Sequence, residues 1–207
     1  KGSRDQCENY RGIAVTSTGS RIYGKILKTK IEQEYMDMEA EEQAGFRASR
    51  STVYHLYCVT QTIEKKAAFD QEIHLLYVDL QKAYDSNPHH KLWTTLEQTN
   101  IKHGLIKAVQ NMYTNNITQV KVGKKVSEGF TATKGLKQGC CLSPTLFKTY
   151  LEQALKVWKR KCSVMGITLN DNTTLYTLCF VDDQIVIAQD HEDLTYMARK
   201  RIEEYRK

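Results

Sequence analysis

Apolar residues recur along this chain at two different spacings. Intervals of three and four residues predict amphipathic helices, whereas short continuous or alternating runs predict strands. The predicted helices cover residues 20–38, 53–67, 88–96, 105–113, 144–158 and 191–207. The predicted strands cover residues 72–80, 118–122, 126–130, 175–180 and 184–188. This order predicts an α+β fold, an antiparallel sheet with helices packed on one face.

Two helix starts have recognisable capping sequences. Asn87 is predicted to cap a helix that has Pro88 at its first position, and Ser143 and Pro144 repeat the arrangement. Asn and Ser accept hydrogen bonds from the first free amides, and proline tolerates the first helical position. A tight turn at Gly123 is predicted to join the strands 118–122 and 126–130.

Two adjacent carboxylates, Asp182 and Asp183, interrupt the apolar stretch TLCFVDDQIVIAQD, residues 177–190. They are predicted to lie at the turn of a hairpin, and turn formation alone is one explanation, since Asp is common in turns. Two like charges side by side repel, however, and a divalent cation would remove that repulsion. Asp79, at the end of the predicted buried strand 72–80, is the expected third carboxylate, because a buried charge is costly without a partner.

Composition narrows the class of protein. The 207 residues are 41% hydrophobic and 26% charged, with a net charge of +6, which favours a polyanionic partner. No apolar run approaches the roughly 20 residues that a membrane helix needs, and no signal peptide is visible. The six cysteines form no Cys-x-x-Cys pair, so we expect a reduced, intracellular protein without a zinc site.

Five sequence blocks follow one another along the chain. They are CENYRGIAV (7–15), QAGFRASRST (43–52), LLYVDLQKAYDS (75–86), GLKQGCCLSPTLF (135–147) and FVDD (180–183). In this order they resemble the blocks of reverse transcriptases, and over nearly its whole length the chain resembles the polymerase domain of non-long-terminal-repeat (LINE-like) retrotransposons. Each block alone is weak, but five in order are specific.

The resemblance implies a right-hand polymerase palm with partial fingers and without the thumb, in a chain that is part of a longer polyprotein. It implies that residues 1–70 are mostly fingers and that 71–207 are mostly palm with interleaved fingers segments. The implied activity is RNA-directed DNA polymerisation, with an RNA template, a DNA primer and dNTPs as partners. No membrane association is expected, nothing indicates an oligomeric state, and a nuclear location follows by analogy.

The resemblance also implies the catalytic residues. Asp79, Asp182 and Asp183 would bind two Mg²⁺ ions, with Mn²⁺ as an alternative, and the main-chain carbonyl of Leu80 would reach one ion. Such a pair of ions activates the attacking hydroxyl and steadies the leaving pyrophosphate.

The nucleotide-binding residues implied by the resemblance are Arg11, Tyr84, Gln138 and Gly139. Tyr84 would be the steric gate against a 2′-hydroxyl, although core packing also explains an aromatic residue there. Arg11 would bind the triphosphate, because a guanidinium forks onto phosphate oxygens; an ordinary surface arginine is the alternative. Gln138 and Gly139 would lie beside the incoming nucleotide and the template base.

Template contacts are implied for Gln43, Arg47 and Arg50. A basic stretch could also follow a nucleic acid backbone or simply form a solvated face. Its members are Lys121, Lys124, Lys125, Lys134 and Lys137.

Several positions depart from the family pattern. Val181 stands where alanine is usual in F-A-D-D, and Gly12 stands where proline is usual after the fingers arginine. A decayed or domesticated copy that binds RNA without catalysis is therefore an alternative. An RNA-directed RNA polymerase shares the paired aspartates, but Tyr84 at the sugar-gate position argues against it. A nucleotide cyclase is disfavoured because its G-G-D/E-E-F turn is absent.

Overall fold

The computed structural model describes residues 3, 5–6, 9–35, 38–114, 116–170 and 173–206. Cys7 and Lys207, which belong to predicted features, lie outside the described residues. The helices are α1 (Thr18–Tyr35), α2 (Thr52–Ala68), α3 (His89–Glu97), α4 (His103–Tyr113), α5 (Ser143–Lys161) and α6 (His191–Arg206). The strands are β1 (His74–Val78), β2 (Ile117–Thr118), β3 (Lys121–Val122), β4 (Lys125–Val126), β5 (Phe130–Thr131), β6 (Ile167–Asn170), β7 (Thr173–Leu175), β8 (Thr177–Phe180) and β9 (Asp183–Ala188).

The chain folds into two compact units, each built from two segments. The first unit comprises Lys1–Asp37 and Lys82–Phe147, and the second comprises Met38–Gln81 and Lys148–Lys207. The division into fingers and palm stays a prediction.

The first unit is mainly helical. In it, α1 packs against α4 and α4 packs against α3, burying Leu92, Ile106 and Val109 completely. The strands β2 and β5 pair with each other, and β3 and β4 form the hairpin predicted at Gly123. Gly123 has a φ of 60°, a conformation that glycine adopts without steric cost. The periodicity thus predicted these helices and the hairpin correctly.

The second unit is organised around an antiparallel sheet in the order β1-β9-β8. The hairpin β8–β9 is confirmed, with Phe180 paired to Asp183 and Cys179 paired to Gln184. The strand β1 pairs with β9 through Val78 and Gln184 at the same end of the sheet. The sheet therefore brings the end of β1 next to the start of β9.

Residues of α2 and α6 contact neighbouring residues of β8 on opposite faces of this sheet. Successive strand residues point to opposite faces. Leu178 belongs to a core cluster with Val59 of α2. The sulfur of the neighbouring residue, Cys179, accepts a hydrogen bond from Arg201 of α6 on the other face. Double coverage explains why β8 is almost entirely buried.

The sequence predicted a single strand over residues 175–180, but the structure divides it at Tyr176. The strand β7 ends at Leu175 and pairs with β6 in a hairpin that the sequence analysis missed. The hydroxyl of Tyr176 donates to the carbonyl of Ser163, 2.8 Å away. A continuous apolar run does not show where a chain changes partner strand, so its length alone was misleading.

Both predicted helix caps are wrong in detail. The side chain of Asn87 donates to the carbonyl of Ala83 at 2.7 Å, and Pro88 itself precedes α3 in the N-cap position. The hydroxyl of Ser143 donates to the carbonyl of Lys137 at 2.9 Å. Each side chain is therefore used to fix the preceding loop. Among the described residues, no helix combines the length and apolar content that crossing a bilayer requires.

Candidate active site

The turn between β8 and β9 and the first residue of β9 contain two of the three predicted catalytic residues. Only Val181 and Asp182 separate Phe180 from its partner Asp183, so the turn has two residues. Val181 has a φ of 61° and is only 5% exposed. Asp182 is half-buried and Asp183 is exposed. Positive φ at a two-residue hairpin turn usually selects glycine, asparagine or aspartate, so a β-branched residue is unusual here.

The third residue, Asp79, directly follows β1 at the same end of the sheet. Val78 pairs with Gln184 in antiparallel register. Asp79 and Asp183 are the next residues toward the same end of the sheet, so the register places them opposite each other. The sheet thus brings Asp79, Asp182 and Asp183 to one end. Their spacing in the sequence does not reveal this placement.

The argument that Asp79 is a buried charge is wrong. The strand β1 lies at the edge of the sheet, is only partly buried, and Asp79 is exposed. An exposed carboxylate is solvated and needs no compensating cation. The case for Asp79 therefore rests on its location beside the turn.

Carboxylate oxygens are suitable ligands for Mg²⁺, and the shared end of the sheet is a suitable location. In the described part of the chain, however, no group of three or more His, Cys, Asp or Glu side chains forms a ready metal site. The donor type and the backbone placement fit a metal, while the side chains do not form a closed cage. Leu80, whose carbonyl was expected to help, is half-buried after Asp79.

The side chain of Gln43 is buried and hydrogen-bonded within the protein, whereas a residue that contacts a template is expected at the surface. Gln43 is 4% exposed, and its side-chain oxygen accepts hydrogen bonds from the amides of Val181 and Gly45, both at 2.9 Å. This burial leaves the amide no surface for a nucleic acid, so the expected template contact is replaced by a contact with the turn.

Arg47 and Arg50 contact acidic residues of their own loop. Arg47 donates to Glu41 and to the carbonyl of Ala40, each at 2.9 Å, and Arg50 also pairs with Glu41. Glu41 and Arg50 are exposed, and exposed ion pairs contribute little stability. Arg47 also forms an ion pair with the less exposed Glu39, with 3.5 Å between the charged atoms.

In the first unit, Tyr84 stacks on Phe147 at the start of α5. The ring centroids are 5.0 Å apart and the planes differ by 18°. The carbonyl of Tyr84 accepts a hydrogen bond from the amide of Leu136 at 2.7 Å. Phe147 thus holds the half-buried ring and Leu136 holds the main chain of Tyr84, an arrangement that suits a gate residue and a core residue equally.

Gln138 and Gly139 contact the segment of the first sequence block. The carbonyl of Gln138 accepts from the amide of Ala14 at 2.7 Å. Gly139 has a φ of 103°, and a Cβ there would lie 3.1 Å from the carbonyl oxygen of Ala14. Because Gly139 has no side chain, its main chain can lie close to the main chain of Ala14. Arg11 is exposed, and no described carboxylate forms an ion pair with it.

The lysines of the predicted basic stretch have two kinds of environment. Lys121, Lys124 and Lys125 are exposed on the β3–β4 hairpin, and Lys134 is also exposed. Lys137 instead lies over the ring of Tyr113, 5.1 Å from its centroid, and burial lowers the pKa of its ammonium group.

The sequence analysis missed Arg201, which lies behind the turn. It is 2% exposed and donates to the hydroxyls of Thr177 and Tyr205 at 3.2 and 3.1 Å. The hydroxyl of Tyr205 donates in turn to Gln184 of β9 at 2.7 Å. One feature could have revealed it: Arg201 follows buried Met197 by four residues, where helical spacing expects an apolar residue.

Comparisons with known proteins identify the family of this chain. The family model described as "Reverse transcriptase (RNA-dependent DNA polymerase)" matches residues 1–206. A transposon TX1 149 kDa protein of Xenopus laevis is 22% identical over 94% of this chain, and the chain spans 15% of its length. The Pol polyprotein of the type-2 retrotransposable element R2DM of Drosophila melanogaster is 24% identical over 95% of this chain, which spans 18% of that protein.

Solved structures show the same fold. Telomerase from Candida albicans covers 86% of this chain with a TM-score of 0.59 at 12% identity, and the match spans 31% of the telomerase chain. Telomerase from Candida tropicalis covers 88% with a TM-score of 0.60 at 14% identity, spanning 30% of that chain. The predicted right-hand polymerase fold is thereby confirmed, and the chain belongs to the reverse transcriptase family.

Proposed function

We propose that this chain is the catalytic part of an RNA-directed DNA polymerase, which adds dNTPs to the 3′-hydroxyl of a DNA primer on an RNA template. The observation that supports it best is the pairing of β1 with β9. This pairing puts the strand end that carries Asp79 beside the start of β9 at Asp183, with Asp182 in the adjoining turn.

In this proposal Asp79, Asp182 and Asp183 hold two Mg²⁺ ions, together with the carbonyl of Leu80. When bound, the ions would lower the pKa of the attacking hydroxyl and neutralise charge on the leaving pyrophosphate. Exposure leaves the oxygens of Asp79 and Asp183 accessible from solvent. The backbone of β1 and β9 holds the two residues at a fixed register, which limits the rearrangement that ion binding requires.

Nucleotide and template roles follow from the exposed cations. Arg11 is accessible to a triphosphate, and Tyr84 has a ring orientation set by Phe147 that suits a sugar gate. Arg47 and Arg50 would exchange Glu41 for phosphates of the template. The exposed lysines of the β3–β4 hairpin would follow a nucleic acid backbone.

The test is Mg²⁺-dependent extension of a DNA primer on an RNA template by the full-length protein. Asp79→Asn and Asp182→Asn should each abolish extension while the melting temperature stays close to that of the parent. Asp70→Asn is the matched control. Asp70 is an exposed residue beyond α2, with a φ of 52° that asparagine tolerates, so this variant should extend normally.

Three outcomes would contradict the proposal. Undiminished extension by Asp182→Asn would remove the catalytic assignment. Tight binding of primer–template without extension by the parent would favour a decayed copy that only binds RNA. A preference for ribonucleotides over deoxynucleotides would indicate an RNA polymerase.

We also propose a nuclear location, because a polymerase that copies RNA onto chromosomal DNA must reach that DNA. Imaging of the fluorescently tagged full-length protein tests this, and a tag that stays outside the nucleus would contradict it.

A further inference from the structure

The segment before Arg47 adds a strand-like edge to the sheet of the second unit. The amide of Ala44 donates to the carbonyl of Cys179 at 2.9 Å, and the amide of Cys179 donates to the carbonyl of Glu42 at 2.8 Å. Gln43 and Cys179 thus form a parallel bridge beside β8. This bridge brings Gln43 level with the turn that follows β8, although 138 residues separate it from Val181.

The primary amide of Gln43 satisfies both main-chain groups of Val181. Its oxygen accepts from the amide of Val181 at 2.9 Å, and its nitrogen donates to the carbonyl of Val181 at 3.4 Å. A two-residue turn leaves such groups without partners in the strand ladder, and an unpaired buried amide is costly. Only a side chain with both a donor and an acceptor can pair with both of them.

The conformation that this pairing holds is intrinsically unfavourable. Val181 is β-branched and has a φ of 61°. Residues in such sparsely populated regions persist only when their surroundings over-determine them. Without Gln43, the turn would lose the contacts that keep this peptide in place.

Gly45 provides the space that the same turn needs. A Cβ on Gly45 would lie 2.4 Å from Cγ2 of Val181 and 2.5 Å from its amide nitrogen. The side chain of Val181 therefore packs against a bare stretch of backbone, which explains why it is buried. The main-chain amide of Gly45 also donates to the side-chain oxygen of Gln43. Gln43 and Gly45 therefore contact Val181 as one unit, which we call the bracket.

Ion pairs with α5 fix this bracket in turn. Glu42 pairs with Lys159 at 2.7 Å, and Glu39 pairs with Lys148. Lys148 is 6% exposed, so its pair with Glu39 is shielded from solvent. The bracket is thus held from α5 on one side and from β8 on the other.

We propose that Gln43 is a positioning residue for the catalytic turn, which holds the peptide of Val181 so that the next residue, Asp182, presents its carboxylate for metal binding. This inference rests on the proposed function. In this proposal Gln43 acts on the reaction only through its hydrogen bonds to the main chain of Val181.

The test replaces Gln43 with methionine, which keeps the length of the side chain and removes both hydrogen-bonding groups. Gln43→Met should raise the Mg²⁺ concentration for half-maximal extension by about 10-fold, the range found when groups that orient metal ligands are removed. It should lower kcat by about 10- to 100-fold. The KM for dNTP and the Kd for primer–template should stay within about 2-fold. A general loss of folded protein would reduce activity equally at all Mg²⁺ concentrations.

Two readouts do not depend on activity. The first is the stabilisation of the protein by Mg²⁺ without substrates, followed as a shift in melting temperature, which should require more Mg²⁺ in Gln43→Met. The second is hydrogen exchange of the Val181 amide, which should become faster. Gln71→Met makes the same chemical change at an exposed glutamine and should alter neither.

A second substitution keeps the proposal testable if Gln43→Met folds poorly. Glycine adopts positive φ without strain, so Val181→Gly should make the turn less dependent on the bracket. Adding Gln43→Met to Val181→Gly should then cost less activity than adding it to the parent, a non-additivity expected of coupled residues.

The outcomes separate the two proposals. If the parent extends primers and Gln43→Met shows unchanged Mg²⁺ dependence and unchanged Val181 exchange, the positioning role is wrong and the polymerase assignment stands. Additive effects in the double variant would also overturn the positioning role. If the parent does not extend primers, the proposed function fails, and the inference that depends on it falls as well.

Discussion

The guanidinium of Arg201 lies 4.4 Å from the ring centroid of Trp158, so a buried cation of α6 rests on a buried aromatic residue of α5. Among the described residues no carboxylate forms an ion pair with Arg201. Its hydrogen bonds go instead to Thr177, Tyr205 and the sulfur of Cys179. The face of the sheet behind the β8–β9 turn therefore contains a charge whose hydrogen-bond partners are all neutral groups.

This arrangement predicts an unusual order of stability for two variants of Arg201. Arg201→Lys should destabilise the fold by about 2–4 kcal/mol, because a compact, strongly hydrated ammonium cannot replace the planar fork of donors. Arg201→Met should cost less, because methionine keeps the apolar stem and removes the buried charge. Urea denaturation measures both, and a methionine variant that is less stable than the lysine variant would contradict the prediction.

Glu152 of α5 predicts a dependence of stability on pH. It is 5% exposed, and burial is the main cause that raises the pKa of its carboxyl to about 7, with Glu42 and Glu39 adding to the effect and Lys159 and Lys156 opposing it. The unfolded chain releases this proton near pH 4.5, whereas the folded chain keeps it until about pH 7. The folded state therefore binds more protons in this window, and its stability falls as pH rises through it.

The expected loss is about 3.5 kcal/mol at most between pH 4.5 and 7, since one pKa unit corresponds to roughly 1.4 kcal/mol. Glu152→Gln should remove this loss, so its stability relative to the parent should increase across the window and level off above pH 7. Urea denaturation at pH 5, 6, 7 and 8 gives the comparison. Glu97→Gln, at an exposed position, controls for the removal of a negative charge. A constant difference between Glu152→Gln and the parent would disprove the assignment.

The elements that carry the site could be predicted because their signals are local. The apolar runs on either side of Asp182 and Asp183 predicted the hairpin, and helical spacing predicted α5 with its buried Trp158. The edge position of β1 could not be predicted, since a run of apolar residues looks the same at the edge and in the centre of a sheet. Asp79 directly follows this edge strand and is exposed.

Contacts distant in sequence account for the rest of what the sequence analysis missed. Gln43 and Val181 are 138 residues apart, and no periodicity links them. The resemblance to reverse transcriptases identified the block that contains Gln43 but suggested a template contact, because motif membership gives no information on burial. Val181 departs from the alanine that is usual in its sequence block, and the sequence does not show that its side chain packs against Gly45 in the interior.

Gly139 should resist substitution. It has a φ of 103°, and an added Cβ would approach the carbonyl oxygen of Ala14 to 3.1 Å. Gly139→Ala should therefore destabilise the fold by about 1–3 kcal/mol. Gly19→Ala is the matched control, because Gly19 lies in α1 with no atom near the position of a Cβ, and it should be neutral or slightly stabilising. Equal melting temperatures for the two variants would contradict this difference.

The stack of Tyr84 on Phe147 predicts how the polymerase proposed above selects its sugar. Tyr84→Ala removes the ring and should raise the ratio of ribonucleotide to deoxynucleotide incorporation by roughly 10-fold or more, because the clash with a 2′-hydroxyl disappears. Phe147→Leu keeps an apolar side chain but removes the stacking partner, so it should raise the ratio by a smaller factor through a less restrained Tyr84 ring. Single-turnover incorporation of matched ribo- and deoxynucleotides measures the ratio. Tyr84→Phe retains the stacked ring and should keep the selectivity of the parent; if all three variants discriminate as the parent does, Tyr84 is a packing residue and not a gate.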